Sequence, residues 1–212
     1  MKNEQIVLSI ETAVRGGSIS LLKGEREIDF WLGTNKVSKA EDILEQISVL
    51  LAKNKVEKHQ IDLITVSHGP GSMTGIRIGI ALAKGLKKSL DCLMKSVSVL
   101  DALHLKAKFE SSENTIISAV PVNSSHIGWQ IYKSVGLVKN STEPPNCSTK
   151  EIFISELKAQ RKFVLVIQQH LYEQLIDLLK NGKQSTIQTL PEINLARWIG
   201  LLGKKEREES VK

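Results

Sequence analysis

The sequence predicts a duplicated α/β architecture, and three observations carry it. The chain opens with three strand-like segments joined by short turns. Its hydrophobic period then switches from two to about 3.6 and back, more than once. The same order of strands, helix, strand and helix returns after a polar stretch at residues 110–114. The two halves are expected to be residues 1–108 and 109–212. The last helix is expected to pack back on the first half.

The elements follow in order. Gln5 to Ile10, Gly17 to Leu22 and Glu27 to Leu32 read as an antiparallel meander, with Lys23-Gly24-Glu25 as a turn. From Ser38 to Lys53 the pattern is helical. Ile43, Leu44, Ile47, Leu50 and Leu51 fall on one face, and Ser38 with Glu41 fits a capping box. Ile61 to Ser67 is a strand, broken by His68-Gly69-Pro70-Gly71. Ser72 or Thr74 caps a helix reaching about Leu90. Leu93 to Val97 is a short strand, and Val99 to Lys108 a short helix.

The second half is a looser version of the first. Thr115 to Val122 is a strand, and Ile127 to Val138 supplies one or two more. Asn140 to Asn146 is a loop around Pro144-Pro145. Thr149 to Ala159 is a helix, Phe163 to Gln168 a strand, and His170 to Lys180 a helix. Thr186 to Leu190 is a strand, and Pro191 opens a last helix ending near Leu202. The charged tail from Lys204 is expected to fray.

Composition narrows the function classes. The chain has 212 residues, 41% hydrophobic and 25% charged, which is ordinary for a globular protein. No apolar run approaches the ~20 residues of a membrane span, and the start lacks a signal peptide's apolar core. A cytoplasmic protein with no membrane contact is expected. Cys92 and Cys147 form no Cys-x-x-Cys pair, and the five histidines show no paired ligand spacing, so no metal site is expected. The net charge of +6 is spread along the chain without a polybasic arm, and aromatics are 4%. That balance allows weak contact with nucleic acid but offers no base-stacking platform.

One segment stands out: His68-Gly69-Pro70-Gly71-Ser72-Met73-Thr74-Gly75-Ile76-Arg77-Ile78-Gly79. It sits at a strand-to-helix junction, where free amides can hold an anion. It lacks the Gly-Lys-Ser/Thr of a Walker loop and the Gly-x-Ser-x-Gly of a nucleophile elbow. Gly75, Gly79 and Ala83 fall at i, i+4 and i+8. Each mid-helix glycine costs about 1 kcal/mol relative to alanine, so something must approach closely. Either this helix is buried within its domain, or its outer face meets another protein.

Two segments together resemble the bacterial TsaB (YeaZ) family. One is Leu8-Ser9-Ile10-Glu11-Thr12-Ala13. The other is Gly69-Pro70-Gly71-Ser72-Met73-Thr74-Gly75-Ile76-Arg77-Ile78-Gly79 with the following Ala83-Lys84-Gly85-Leu86. Ser96 to Leu103 adds a weaker match, and the resemblance covers about residues 6–105. It implies two related lobes of the actin/Hsp70-like (ASKHA, ribonuclease H-like) fold. It also implies a noncatalytic scaffold role, without a cofactor, in making tRNA threonylcarbamoyladenosine. The implied partners are a catalytic TsaD-like subunit, a TsaE-like ATPase, a second copy of this chain through the same helices, and tRNA indirectly or weakly.

The resemblance also assigns site residues. The partner surface is expected on the helices of 38–53 and 72–90, through Ile43, Ile47, Leu50, Gly75, Ile76, Gly79, Ile80, Ala83 and Lys84. Ile78, Leu82 and Leu86 then face the sheet. Glu11 and Thr12 stand where the family usually has Asp-Thr, as a vestigial nucleotide site with no catalytic residue. Lys39-Ala40-Glu41 and Asn123-Ser124-Ser125 also lack acidic or histidine groups of the family pattern. An active ATPase or phosphotransferase of the same fold, or a peptidase, are the alternatives. The first would need a second phosphate loop and a carboxylate near Asn123. The second would need a zinc pair or an activated nucleophile.

Overall fold

The computed structural model describes the chain except residues 1–3, 34–39, 111–114, 136–137, 141–143, 161, 180–185, 191–193 and 210–212. It divides into two compact units, Met1–Ala102 with Asn194–Lys212, and Leu103–Ile193.

In the first unit, β1 (Ile6–Glu11), β2 (Ser18–Lys23) and β3 (Arg26–Leu32) form the meander. β4 (Leu63–Ser67) and β5 (Leu93–Val97) add in parallel beside β1, giving the order β3-β2-β1-β4-β5. Strand alternation sorts the two faces. Leu8, Ile10, Ile19, Leu21, Ile64 and Val66 point to one side. There they meet Ile43, Ile47, Leu50 and Leu51 of α1 (Ala40–Lys53) and Ala83 of α2 (Met73–Leu90). Each such side chain contributes roughly 1.5–3 kcal/mol on full burial. α1 stops at a left-handed Lys55, φ 54°, after which Val56 N–H returns to the Leu51 carbonyl. The expected cap at Ser38 lies outside the described residues.

The other face is lined by Val7, Ser9, Ser18, Leu22, Leu63 and Thr65, and α6 (Leu195–Glu209) covers it. Ala196, Gly200 and Gly203 turn inward; a Cβ at Gly200 would meet Leu22 and Ser9, and one at Gly203 would meet Thr65. Ser18 Oγ accepts the Ala196 N–H at 3.0 Å, and Ser9 Oγ donates to the Ala196 carbonyl. Asn194 Nδ2 donates to Glu27, which also accepts from Ser20 Oγ at 2.6 Å. Small residues on both partners therefore let α6 lie close to the sheet. α6 continues to Glu209, past the expected end near Leu202. Pro191 lies outside the described residues.

α3 (Val99–Glu110) leads out of the first unit, its Val99 N–H bound to the Gly69 carbonyl at 2.8 Å. The division after Ala102 falls before the boundary drawn from the polar segment at 110–114.

The second unit repeats the strand layout. β6 (Thr115–Pro121) pairs antiparallel with β7 (His126–Val135), which carries β8 (Val138–Asn140). β10 (Val164–Gln168) and β11 (Thr186–Leu190) add in parallel, giving β11-β10-β6-β7-β8. α4 (Lys150–Ala159) and α5 (Gln169–Leu179) bury Phe153, Leu157, Leu171 and Leu175 on one sheet face. β9 (Asn146–Thr149) also pairs with β7, where the sequence had pointed only to a loop ending at Asn146.

Candidate functional site

The glycine-rich segment and the turn after β1 form one interlocked structure. Ser72 caps α2, its Oγ accepting the Gly75 N–H at 3.3 Å. The Ser72 N–H donates to the Ala13 carbonyl at 2.7 Å, and Thr12 Oγ1 donates to the Gly75 carbonyl at 2.8 Å. These contacts need backbone to touch backbone. A Cβ on Gly71 (φ 154°) would press on the Ala13 carbonyl, and one on Gly75 on the Thr12 carbonyl. One on Gly79 would press on Thr12 Oγ1, all under 3.0 Å. The glycine spacing therefore serves the chain's own β1 turn.

This corrects the expected interface. The small stripe faces inward: Gly79 and Ala83 are buried, and Gly75 is half-buried against Thr12. Ile43, Ile47 and Leu50 are core residues of the first unit. Ile43, Ile47, Leu50, Gly79 and Ala83 are buried in the first unit, and Gly75 lies against Thr12, so this face is occupied by the chain itself. Ile78, Leu82 and Leu86 are half-buried against that core, as is Ile80, while Gly79 takes the place against Thr12 and Val66. Ile76 and Ile80 are half-buried, and Lys84 is exposed. Leu44 (43% exposed), Val49 (50%) and Met73 (58%) are exposed apolar side chains of the same two helices. Of these, Leu44 was read as part of the buried face. Its turn away from the core follows from the 100° step from Ile43, which takes the inward position.

Glu11 and Thr12 are brought together with Ser67. Glu11 is 2% exposed, and its Oε1 accepts the Val14 N–H at 2.9 Å and the Ser67 hydroxyl at 3.5 Å. Burial pushes the carboxyl from 4.5 up to about 7, against the pull of Val14, Ala13 and Ser67 hydrogen bonds. Thr12 N–H donates to Ser67 Oγ at 3.3 Å. Ser67 and the amides of Ala13 and Val14 were missed from the sequence; a serine closing an apolar strand beside a glycine-rich break was the available signal. The carboxyl is thus engaged by its own turn.

In the second unit, Asn123 closes a polar turn. Its Oδ1 accepts the Ser125 and His126 amides at 2.9 and 2.8 Å, so the side chain serves the β6–β7 connection. Among the described residues, no group of three His, Cys, Asp or Glu side chains could hold a metal ion, and no helix is long and apolar enough to cross a membrane. A groove of about 710 Å³ lies at the C-terminal ends of α1 and α2, lined by Leu51, Val56, His59, Ser89 and others. In it His59 Nδ1 lies 3.2 Å from Glu57 Oε2, and the groove lies at the end of α2 away from Glu11.

The chain is similar to known proteins in sequence and in fold. The family model for TsaD, tRNA N6-adenosine threonylcarbamoyltransferase, matches residues 37–136, just under half of the chain. The tRNA threonylcarbamoyladenosine biosynthesis protein TsaB of Buchnera aphidicola subsp. Schizaphis graminum is 30% identical over 128 residues, 60% of each chain. The Escherichia coli K12 TsaB is 27% identical over 128 residues, 60% of this chain and 54% of its own. The chain thus spans less than two thirds of the length of these relatives. Among solved structures, YeaZ from Pseudomonas aeruginosa superposes with a TM-score of 0.75 at 16% identity, covering 96% of this chain and 93% of that one. Likeness extends to sugar kinases and dehydratase activators of the actin/Hsp70-like class, which fixes the fold class as expected. The Glu-Thr turn, the glycine-rich helix start and these matches together make the chain similar to the TsaB (YeaZ) proteins, over about 60% of its length in sequence and 96% in fold.

Proposed function

We propose that the chain is a noncatalytic subunit in the biosynthesis of threonylcarbamoyladenosine in tRNA, holding a TsaD-like catalytic subunit against α1 and α2. The names of the matched relatives support the pathway. One observation carries the noncatalytic reading. Glu11 stands where the family resemblance puts a metal-placing aspartate in active ATPases of the fold. Here its carboxyl is buried and accepts hydrogen bonds from Val14, Ala13 and Ser67. A carboxyl bound to its own turn is not offered to a magnesium–phosphate pair.

The partner surface is the exposed side of the two helices, through Leu44, Val49, Met73 and Lys84, with half-buried Ile76 and core-packed Ile80 at its margin. Leu44, Val49 and Met73 are large apolar side chains left exposed on these two helices, which supports contact there. A second copy of this chain takes the same surface when the TsaD-like subunit is absent. A TsaE-like ATPase joins the pair, and tRNA is reached mainly through the TsaD-like subunit. The work is cytoplasmic, and this subunit needs no cofactor of its own.

The test is reconstitution with the TsaD-like and TsaE-like proteins, tRNA, ATP and threonylcarbamoyl-adenylate. Modified tRNA should form with this chain present and fall to background without it. Steady-state ATP turnover by the purified chain alone, abolished by Glu11→Ala, would contradict the noncatalytic reading.

A further inference from the structure

Glu11 does more than fill space, because the turn it grips also positions the start of α2. Its Oε1 takes the Val14 N–H and the Ser67 hydroxyl, and the Ala13 amide adds a third donor. All three donors are neutral. β2 presents Ser18 directly across from Glu11, and β4 presents Ser67. No charged side chain is among the groups that shift the Glu11 carboxyl. Lys23 of β2, Arg15 of the turn, and Arg77, Lys84, Lys87 and Lys88 of α2 are exposed. Arg197 of α6 lies 4.0 Å from Glu27. His68, the residue after Ser67, is also exposed.

The far side of this turn is fastened to α2. The Ala13 carbonyl takes the Ser72 N–H, and the Thr12 hydroxyl binds the Gly75 carbonyl. Gly71 and Gly75 leave no space in which the turn could slide without moving the helix start. An ionised Glu11 only accepts hydrogen bonds, whereas a neutral one has an O–H that must donate. Ser67 Oγ, 3.5 Å from Oε1, is an acceptor within its reach, and it already accepts from Thr12 N–H.

We propose that Glu11 is a proton-operated latch: one proton gained at its carboxyl reverses the hydrogen bond with Ser67 and shifts the Thr12–Val14 turn together with Ser72–Gly75 of α2. The step moves one proton, taken from solvent. A buried carboxyl without a counter-ion holds its proton well above the usual range, here to about 7, so both forms are populated near neutrality. The latch is independent of whether α2 meets a partner.

The test is an NMR titration of the isotope-labelled full chain between pH 5 and 8.5, in a His68→Gln background to remove the neighbouring imidazole. The amide signals of Thr12–Val14 and Ser72–Gly75 should move with one shared midpoint near 7. Glu11→Gln should abolish both movements. Ser67→Ala, which removes one donor to the carboxylate, should raise the shared midpoint by about half a pH unit or more, and decides the matter if Glu11→Gln does not fold. Titration of Ala13 and Val14 alone, with Ser72–Gly75 still, would overturn the latch. So would an unchanged titration in Glu11→Gln, or an unchanged midpoint in Ser67→Ala.

Discussion

Gly→Ala substitutions at three positions of α2 should give three different answers. In an open helical site, alanine is favoured over glycine by about 1 kcal/mol. At Gly85 an added Cβ meets nothing within 4 Å, so Gly85→Ala should stabilise the first unit by about 0.5–1 kcal/mol. At Gly79 the Cβ would overlap Thr12 Oγ1 and rest 3.4 Å from Val66 Cγ2. The hydroxyl can rotate away, but it then abandons the Gly75 carbonyl, a bond worth about 1 kcal/mol. Adding about 1–3 kcal/mol for overpacking and subtracting the helix gain leaves a net loss of about 1–3 kcal/mol. At Gly75 the obstacle is the Thr12 carbonyl, which has no rotamer to adopt, so the loss should be larger still. The assay is urea unfolding of 5-fluorotryptophan-labelled protein. Trp31 and Trp198 report the first unit and Trp129 the second. The expected order of midpoints is Gly85→Ala, wild type, Gly79→Ala, Gly75→Ala. A neutral Gly79→Ala, or a destabilising Gly85→Ala, would refute the inward orientation of the stripe.

Other outcomes follow from the same geometry. Glu11 has a carboxyl raised from 4.5 to about 7 in the folded chain, so the folded state binds more protons across that window. Its contribution is full below pH 4.5, falls as pH rises, and is lost above about 7. At about 1.4 kcal/mol per pH unit the span is about 3–4 kcal/mol. Urea midpoints of the first unit should show this slope, and Glu11→Gln should flatten it; an identical slope in the variant would count against it. Ser18→Ala removes the acceptor for the Ala196 N–H at the start of α6 and should cost about 1 kcal/mol, read by hydrogen exchange in α6; unchanged protection would mean that the bond does not hold the helix. Binding of the lone chain to tRNA should be weak and fall steeply with salt, because +6 is spread without clustered basic and aromatic residues. Tight, selective binding at physiological salt would contradict that.

The fold was legible where local chemistry dominates. The meander, the helix of Met73–Leu90 with its Ser72 cap, and the strand before it follow from alternation, turn residues and capping. β9 was not legible, because Asn146–Thr149 carries neither alternation nor an apolar run and is a strand only through its pairing with β7. The direction of the small stripe was not legible either. Gly75, Gly79 and Ala83 permit close approach, but spacing cannot say whether the approaching group is a partner or the Thr12–Ala13 backbone, which is 63 residues away from Gly75 in sequence. Ala196, Gly200 and Gly203 carried a similar signal at i, i+4 and i+7, matched by Ser9 and Thr65 on the sheet. The candidate site was legible as a pair of segments, since Glu11-Thr12 and the glycine-rich break do meet. The burial of Glu11 depends on the whole sheet and could not be read from its neighbours.

The central claim is that the outward side of α1 and α2 holds a TsaD-like catalytic subunit. Its most direct test is sedimentation of that subunit with the wild-type chain and with the Leu44→Asp, Met73→Asp double variant. Both positions are exposed, so the variant should keep its circular dichroism and unfolding midpoint. A one-to-one complex is predicted for the wild type, with affinity for the double variant lowered at least tenfold. A folded double variant that pairs at wild-type affinity, or a wild-type chain that forms no complex, would contradict the claim.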